Sequence, residues 1–334
     1  GYEQLATIQS PVEHTKRRSK AELPESVDVA IIGAGPAGLT AGAYLAHHGV
    51  KVAVFDAHYV AGGCATMFER GKGEDKYNFD IGLHYIGDCG PEGDIPKLLA
   101  GVDISLDYES MDPDGFDEVI LPDARFRIPA DRDLYEQRLI EAFPHEAKGI
   151  KAYCRLLREV EFMASRVESG ISKLQLIGDI LLKGRMVAKY RNASIGQVFD
   201  KHIKDPDLRA ILLGQSGDYG VRPSRASALL HCGLSNHYFK GAFYPRGGGQ
   251  VIADRLSELI EDKGGAVLLR KPVRQILVEE GRAVGISVEV KKGDMRTVRA
   301  KNIISGADLK QTLLELLPEG TLTSEEKEVV ENYE

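Results

Sequence analysis

The residues whose spacing points most directly to chemistry are glycines. Gly33-x-Gly35-x-x-Gly38 lies within GAGPAG, directly after the β-branched run VDVAII and directly before the Ala/Leu-rich stretch LTAGAYLAHHG. In that context Gly33 permits a tight turn, Gly35 lets a pyrophosphate approach the backbone, and Gly38 lets a helix pack closely on a strand. Pro36 and Ala37 complete the loop, and the helix N-terminus that follows faces phosphate oxygens. Asp56 ends the next strand-like run, VKVAVFD, 18 residues past Gly38. A carboxylate there accepts hydrogen bonds from ribose hydroxyls and disfavours a 2′-phosphate. A glycine turn without a ligand is the competing reading of the fingerprint alone; strand, helix, strand and acid together favour a bound dinucleotide. The fingerprint does not separate NAD from FAD. Gly62-Gly63, six and seven residues after Asp56 with Ala65 and Thr66 behind them, adds a second loop through which backbone approaches the same ligand.

These residues need elements to position them. Residues 1–26 mix basic and acidic side chains without an apolar period and read as a poorly ordered arm. From Val27 the pattern is strand, glycine turn, helix, strand, a βαβ unit of about 30 residues. The stretch 57–90 breaks that alternation and shows no clear helix. Residues 131–240 read mostly helical: LYEQRLIEAF, GIKAYCRLLREVEFMASRV, SKLQLIGDILLKGRMVAKY and DLRAILLGQ are the candidates, the last introduced by Asp205-Pro206. A Gly/Pro cluster, GAFYPRGGG, leads into the amphipathic helix QVIADRLSELIEDKGG, which stops at a glycine pair. The runs AVLL, PVRQILVEE, RAVGISVEV and TVRAKNIIS then read as a small β-meander that delivers SGAD, Ser305 to Asp308, and a final helix. The expected architecture is α/β: a discontinuous Rossmann-type domain over 27–90 and 241–334, interrupted by a mostly helical substrate domain over 91–240.

Composition narrows the function. The chain has 334 residues, 43% of them apolar, enough for about two domains with sizeable cores. Its net charge of −7 lacks the basic field that attracts nucleic acid, so no nucleic-acid partner is expected. Cys64, Cys89, Cys154 and Cys232 lie far apart with no C-x-x-C and no histidine at zinc spacing, which fits reduced thiols, no structural metal, and the cytoplasm as the default compartment. Cys64 reads as a small packing residue rather than a redox thiol. No apolar run reaches the ~18–20 residues of a membrane span. Residues 171–191 do combine apolar bulk with Lys173, Lys183, Arg185, Lys189 and Arg191 against Asp179. That segment reads equally as a peripheral membrane contact and as a helix buried in the insert with a solvated basic end.

Taken together, GAGPAG…FD…GGCATMF…YNFDIGLHYIG…YPRGGGQVIADRL…PVRQILVEEGRAVGI…IISGAD resembles the FAD-dependent phytoene desaturase, carotenoid isomerase and retinol saturase family, with GLHYIG and GDYG…YPRGGG leaning towards the saturase branch. The resemblance covers roughly 27–90 and 205–315, and more weakly the helical middle. It implies that Gly33, Gly35, Pro36, Ala37 and Gly38 hold the pyrophosphate of FAD and that Asp56 holds the adenosine ribose. It also implies that Gly62, Gly63, Cys64, Ala65 and Thr66 line the flavin side, that Val273 meets the adenine through its backbone, and that Ala307 and Asp308 return to the cofactor. Many flavin amine oxidases carry Arg where this chain has Cys64, which weakens an amine- or sterol-type oxidase reading. The family's long C-terminal stretch, whose last glycine motif closes over the flavin, is not in this sequence. Glu325 to Glu334 ends inside an apparent helix, and a chain cut short is the expectation.

The activity so implied is oxidoreduction at carbon–carbon double bonds of a hydrophobic polyene, by saturation, desaturation or isomerisation, with the electron partner unassigned. A non-catalytic FAD-containing scaffold or lipid-binding protein is the rival from another class. For saturation the flavin supplies a hydride and a His or Tyr supplies the proton. His84 and Tyr85 lead the candidates, ahead of His231, Tyr219 and Tyr244. For any one of them, a core or surface residue with a satisfied ring is the simpler alternative.

Overall fold

The computed structural model describes residues 21–73 and 75–333, which places residues 1–20 of the expected arm outside the described residues. The described residues divide into two compact units, one over 21–84, 97–107 and 245–333, the other over 85–96 and 108–244. The cut therefore falls at His84/Tyr85 rather than at residue 90, and a short segment inside the expected insert returns to the first unit.

In chain order the elements are β1 (Ser26–Ile32), α1 (Pro36–His47), β2 (Val52–Phe55), β3 (Met67–Lys72), β4 (Asp75–Asp80), β5 (Ile86–Gly87), α2 (Asp94–Ala100), β6 (Tyr108–Ser110), β7 (Asp117–Ile120) and β8 (Arg125–Ile128). There follow α3 (Arg132–Ala142), α4 (Ala147–Glu168), α5 (Lys173–Lys183), α6 (Arg185–Tyr190), α7 (Ile195–His202), α8 (Pro206–Leu212), α9 (Ala228–Tyr238) and β9 (Ala242–Pro245). The chain closes with α10 (Gln250–Asp262), β10 (Ala266–Leu268), β11 (Val273–Glu279), β12 (Arg282–Lys291), β13 (Asp294–Ser305) and α11 (Ser324–Glu331).

The first unit is built on a six-stranded sheet of order β10-β2-β1-β13-β12-β11. β10, β2, β1 and β13 run parallel, and β11 and β12 continue from β13 antiparallel. The expected meander is there, except that its first run, AVLL, leaves it to become the parallel edge strand beside β2. Strand β2 is buried at every position, as a parallel strand covered on both faces must be. On one face α1 lies so close that a Cβ at Gly42 would stand 3.1 Å from Val54 and 3.0 Å from Ile260 of α10. On the other, Ala30, Ile32, Ala53, Phe55 and Leu268 pack with Ile276, Ile286, Val298 and Leu316. The arm's end already belongs to this sheet, for the Glu25 carbonyl accepts from the Arg299 N–H at 3.0 Å. Helix α11 ends at Glu331, and Asn332 and Tyr333 do not run on as helix. The glycine-rich stretch that lacked a helix pattern is the hairpin β3–β4, paired from Met67↔Asp80 to Lys72↔Asp75.

The second unit packs α3, α4 and α6–α9 around Leu139, Ile150, Tyr153, Leu156, Leu157, Ile195, Phe199 and Leu208. It is less purely helical than the pattern of 91–240 suggests, since β7 and β8 form a hairpin and β9 lies between β5 and β6. Those strands have two to four residues, too short for a period-2 pattern to show. SKLQLIGDILLKGRMVAKY, one run in the sequence, is broken at Gly184 into α5 and α6.

Candidate functional site

Parallel register brings the expected cofactor residues together. Leu268, Phe55, Ile32 and Ser305 stand in one row at the carboxyl ends of β10, β2, β1 and β13. Ligands of open α/β sheets bind beyond such a row. Gly33 turns out of β1 with φ 97°, a conformation that favours glycine, and a Cβ on it would press within 3.2 Å of the Gly306 carbonyl carbon. The Gly306 N–H in turn donates to the Ile32 carbonyl at 2.7 Å. Gly38 has no room for a side chain, because a Cβ would overlap the Gly33 carbonyl oxygen. At Gly35 a Cβ would meet nothing within 4 Å.

Helix α1 starts at Pro36 with Gly35 as its N-cap and no side chain capping it, and Pro36 and Ala37 are exposed. The open first turn and the space before Gly35 form a cradle of backbone N–H groups suited to a diphosphate. Asp56 is half-buried beside it. Its Oδ2 accepts from the Ala34 N–H at 2.7 Å and its Oδ1 from the His58 N–H at 2.8 Å. Each oxygen keeps a second lone pair for a ribose hydroxyl. The Lys271 N–H donates to the Asp56 carbonyl at 2.8 Å and the Arg270 N–H to the His58 carbonyl at 2.9 Å, which sets Val273 at the start of β11 two residues beyond this junction.

The second glycine turn is tied directly to the first. Gly62, at φ 128°, donates its N–H to the Ala34 carbonyl at 2.7 Å, and a Cβ on Gly63 would stand 3.1 Å from the Gly35 Cα. Ala65 and Thr66 are buried behind the turn, and the Thr66 hydroxyl donates to the Gly63 carbonyl at 2.8 Å. Cys64 is exposed on this turn, not packed as the sequence suggested, since the tight turn projects its side chain outward. Ala307 follows Gly306 beside Gly33, whereas Asp308 is exposed and its Oδ1 accepts from the Gln311 N–H at 2.9 Å.

Three residues that sequence reasoning missed hold this turn in place. Gln250, buried at the start of α10, donates from Nε2 to the Ala61 carbonyl at 2.8 Å and to Asp254 Oδ1 at 3.0 Å. The Gly249 N–H donates to Asp80 Oδ1 at 2.8 Å. A Cβ at Gly249 would crowd the Ala65 carbonyl at 3.1 Å, so the last glycine of YPRGGG is where α10 reaches the second turn. The one signal in the sequence was the glycine triplet directly before a helix; nothing local marks Asp80 as its partner.

The proton-donor candidates separate. His84 is exposed and follows directly on residues 81–83 of the first unit. Those residues lie against the second turn, the Ile81 N–H donating to the Thr66 carbonyl at 3.0 Å. Tyr85 begins the second unit, where its hydroxyl donates to Asp117 Oδ2 at 2.6 Å and its ring meets Phe116 and Tyr238 edge-on. Burial and the Asp117 carboxylate push its phenol upward. His231 is 1% exposed, with Tyr153 Oη 2.9 Å from Nε2 and Tyr219 Oη 3.0 Å from Nδ1. Both ring nitrogens are thereby engaged inside the core, and burial lowers the imidazole to about 4. His231 and Tyr219 are thus parts of a packed Tyr–His–Tyr chain. Tyr244 is half-buried in β9. Among the described residues no cluster of ligating side chains could hold a metal.

The model of a family described as flavin containing amine oxidoreductase matches residues 36–333. The chain is 35% identical over 315 residues to an all-trans-retinol 13,14-reductase of Rattus norvegicus, covering 90% of this chain and 50% of that protein. It is 27% identical over 324 residues to a chloroplastic prolycopene isomerase of an Oncidium hybrid cultivar, covering 94% of this chain and 54% of that one. The chain thus spans about half the length of the curated relatives it matches. Among solved structures, an oxidoreductase of Methanosarcina mazei superposes with a TM-score of 0.59 at 19% identity, over 91% of this chain and 65% of that one, a likeness of fold.

Proposed function

The chain belongs to the flavin containing amine oxidoreductase family, and from that premise we propose that it serves a flavin-dependent oxidoreduction or isomerisation at carbon–carbon double bonds of a hydrophobic polyene. The dinucleotide of the glycine loops is FAD. The observation that carries the reading is that a polyene reductase and a polyene isomerase both align across at least nine-tenths of this chain.

Bound FAD supplies a two-electron donor or acceptor. The chain's own residues do the rest. The first turn of α1 would offer N–H groups to the diphosphate, Asp56 would accept from the ribose, and Gly62 and Gly63 would let backbone approach the ligand. Hydride addition to an unactivated double bond leaves carbanion-like charge on the neighbouring carbon, so saturation needs a proton donor. Of the candidates, His84 is supported best, because it follows three residues after Ile81, whose N–H donates to the Thr66 carbonyl of the second glycine turn. The tyrosine beside it has its proton committed to Asp117.

The reading is tested by denaturing the purified protein, identifying the released cofactor, and mixing the oxidised and dithionite-reduced holoprotein anaerobically with all-trans polyenes. Flavin should be released, and either the oxidised flavin bleaches, the reduced flavin reoxidises, or, for isomerisation, the absorption band of the polyene shifts with no net change in the flavin. Nicotinamide without flavin, or bleaching by amines and not by polyenes, overturns it. The exposed Cys64, where amine oxidases of the family often carry Arg, speaks against the amine outcome.

A further inference from the structure

Helix α5 is apolar on the side that faces away from its own unit. Its inner side is clamped: Arg166 of α4 holds Asp179 at 2.7 Å, and Glu159 Oε2 accepts from the Met186 and Val187 N–H groups at the start of α6, at 2.5 and 3.4 Å. A capping box between Ser172 and Gln175 fixes the N-terminus, and the Arg185 side chain donates to the Leu181 carbonyl at the other end. The helix is therefore well anchored, yet no residue of it is buried. Leu174 is 82% exposed, Ile177 54%, Leu181 63% and Leu182 80%. At 100° per residue these four, with Gly178, form one continuous outer stripe. Scattered exposed apolar residues are ordinary, but four on one face of an 11-residue helix mark an interaction surface.

The charges around the stripe indicate what it meets. Lys173 stands at the N-terminal end, and Lys183, Arg185, Lys189 and Arg191 cluster at the other; all are exposed. The one acid in this segment, Asp179, is turned inward to Arg166. This concentration of cations sits in a chain whose net charge is −7. A second copy docked stripe to stripe would set cluster against cluster if parallel and Lys173 against the other copy's cluster if antiparallel, with no outward acid opposite in either case, which disfavours self-association. Lys183 and Lys189 rest over the Phe162 and Tyr190 rings, 5.0 and 4.7 Å from the centroids, and stay exposed to solvent. An apolar stripe flanked by exposed cations on long, flexible stems is the pattern of a helix lying in a lipid interface.

We propose that α5 and the start of α6 dock the protein onto an anionic membrane surface, with Leu174, Ile177, Leu181 and Leu182 entering the acyl boundary and Lys183, Arg185 and Lys189 meeting lipid phosphates. No helix of the described residues is long and apolar enough to cross a bilayer, and α5, with 11 residues, has the length of a segment that lies in the interface. The inference is independent of the polyene reading, and its test contains no substrate.

The experiment is flotation of the 334-residue chain with phosphatidylcholine vesicles, with and without phosphatidylserine, at low and high salt. Binding is expected on the phosphatidylserine vesicles at low salt and should weaken as salt rises. Reversing three charges (Lys183→Glu, Arg185→Glu, Lys189→Glu) should lower the partition coefficient by more than about a hundredfold. Leu174→Glu with Leu182→Glu should abolish what remains. Because Arg185 also caps α5, far-UV circular dichroism and flavin content are read on each variant, and the milder pair Lys183→Gln, Lys189→Gln should still lose about tenfold or more. Absence of flotation at low salt, or flotation unchanged in the leucine variant, overturns the proposal. So does a wild-type dimer that Leu174→Glu makes monomeric without any vesicle binding, which would assign the stripe to a second copy.

Discussion

The two units solve the problem of buried polarity in opposite ways. In the first, the polar atoms at the site are mostly backbone, presented where Gly33, Gly35, Gly62 and Gly63 leave no side chain in front of them. In the second, side chains carry the buried polarity. Tyr153, His231 and Tyr219 form a chain, Asn236 donates to the Leu157 carbonyl at 2.8 Å, and Glu146 accepts from the Lys204 and Asp205 N–H groups at 2.6 and 2.7 Å. The backbone part of such a site carries no titrating group and is intolerant of added atoms. A core held by titratable side chains has the converse weakness: it tolerates small changes of volume at its surface and fails when a proton is forced in.

The contrast breaks most severely at Gly38. Alanine there would drive a Cβ into the Gly33 carbonyl oxygen, a backbone atom of the cofactor loop that cannot rotate away, with Ile31 only 3.3 Å off on the other side. Gly38→Ala should destabilise the first unit by more than about 3 kcal/mol and empty it of flavin, since helix and loop must separate to relieve the overlap. Denaturant unfolding and the ratio of flavin to protein absorbance check this. A variant that retains its flavin with an unchanged midpoint would show that the loop is softer than the parallel register implies.

This difference also explains what the sequence disclosed. The fingerprint, the acid at the end of β2 and the second glycine pair were legible because they lie within or directly after one βαβ unit, where residues close along the chain are brought to the same strand ends. Gly249 with Asp80, and Gln250 with Ala61, join positions 169 and 189 residues apart, and no local pattern carries such a pairing. His84 and Tyr85 looked like one site because they are adjacent; the unit boundary between them sends one ring to the surface and the other into an aromatic cluster. His231 looked reactive by residue type, and only its two tyrosine partners reveal a structural role. The segment 171–191 was divided between burial and a surface contact because Gly184 hides the break that frees one face of α5.

The next effect in size belongs to His231. Burial lowers its folded value to about 4, against ~6.5 in an unfolded chain. Between those values the unfolded state binds the extra proton, so stability rises with pH and falls as acid is added. The contribution is complete above ~6.5 and is lost progressively towards 4, about 2 kcal/mol of it between pH ~7 and ~5. His202 and His237 are also lowered by burial and act in the same direction. Urea midpoints of wild type and His231→Gln, measured across that window, separate the share of His231. A wild-type slope no steeper than the variant's would mean that the tyrosines accommodate an imidazolium. The first unit's flavin retention should stay flat over the same range.

The smallest effect is the mirror image of Gly38→Ala and uses the same substitution. Gly178 lies in the middle of α5 with ordinary helical backbone, and a Cβ there would meet nothing within 4 Å. Alanine at such a position removes conformational freedom from the unfolded chain without touching the folded one, so Gly178→Ala should stabilise the second unit by about 0.5–1 kcal/mol, or roughly 1–3 °C in melting temperature. Gly184, six residues on, supplies the control. A Cβ there would stand 3.0 Å from the Ile180 Cα and 3.0 Å from the Met163 sulfur, at the break that lets α6 turn onto Glu159. Gly184→Ala should therefore gain nothing, and a net loss is expected as Met163 gives way. If the two alanines shift the melting curve alike, α5 does not hold the clamped position described, and its exposed stripe would have to be read as the face of a helix that moves.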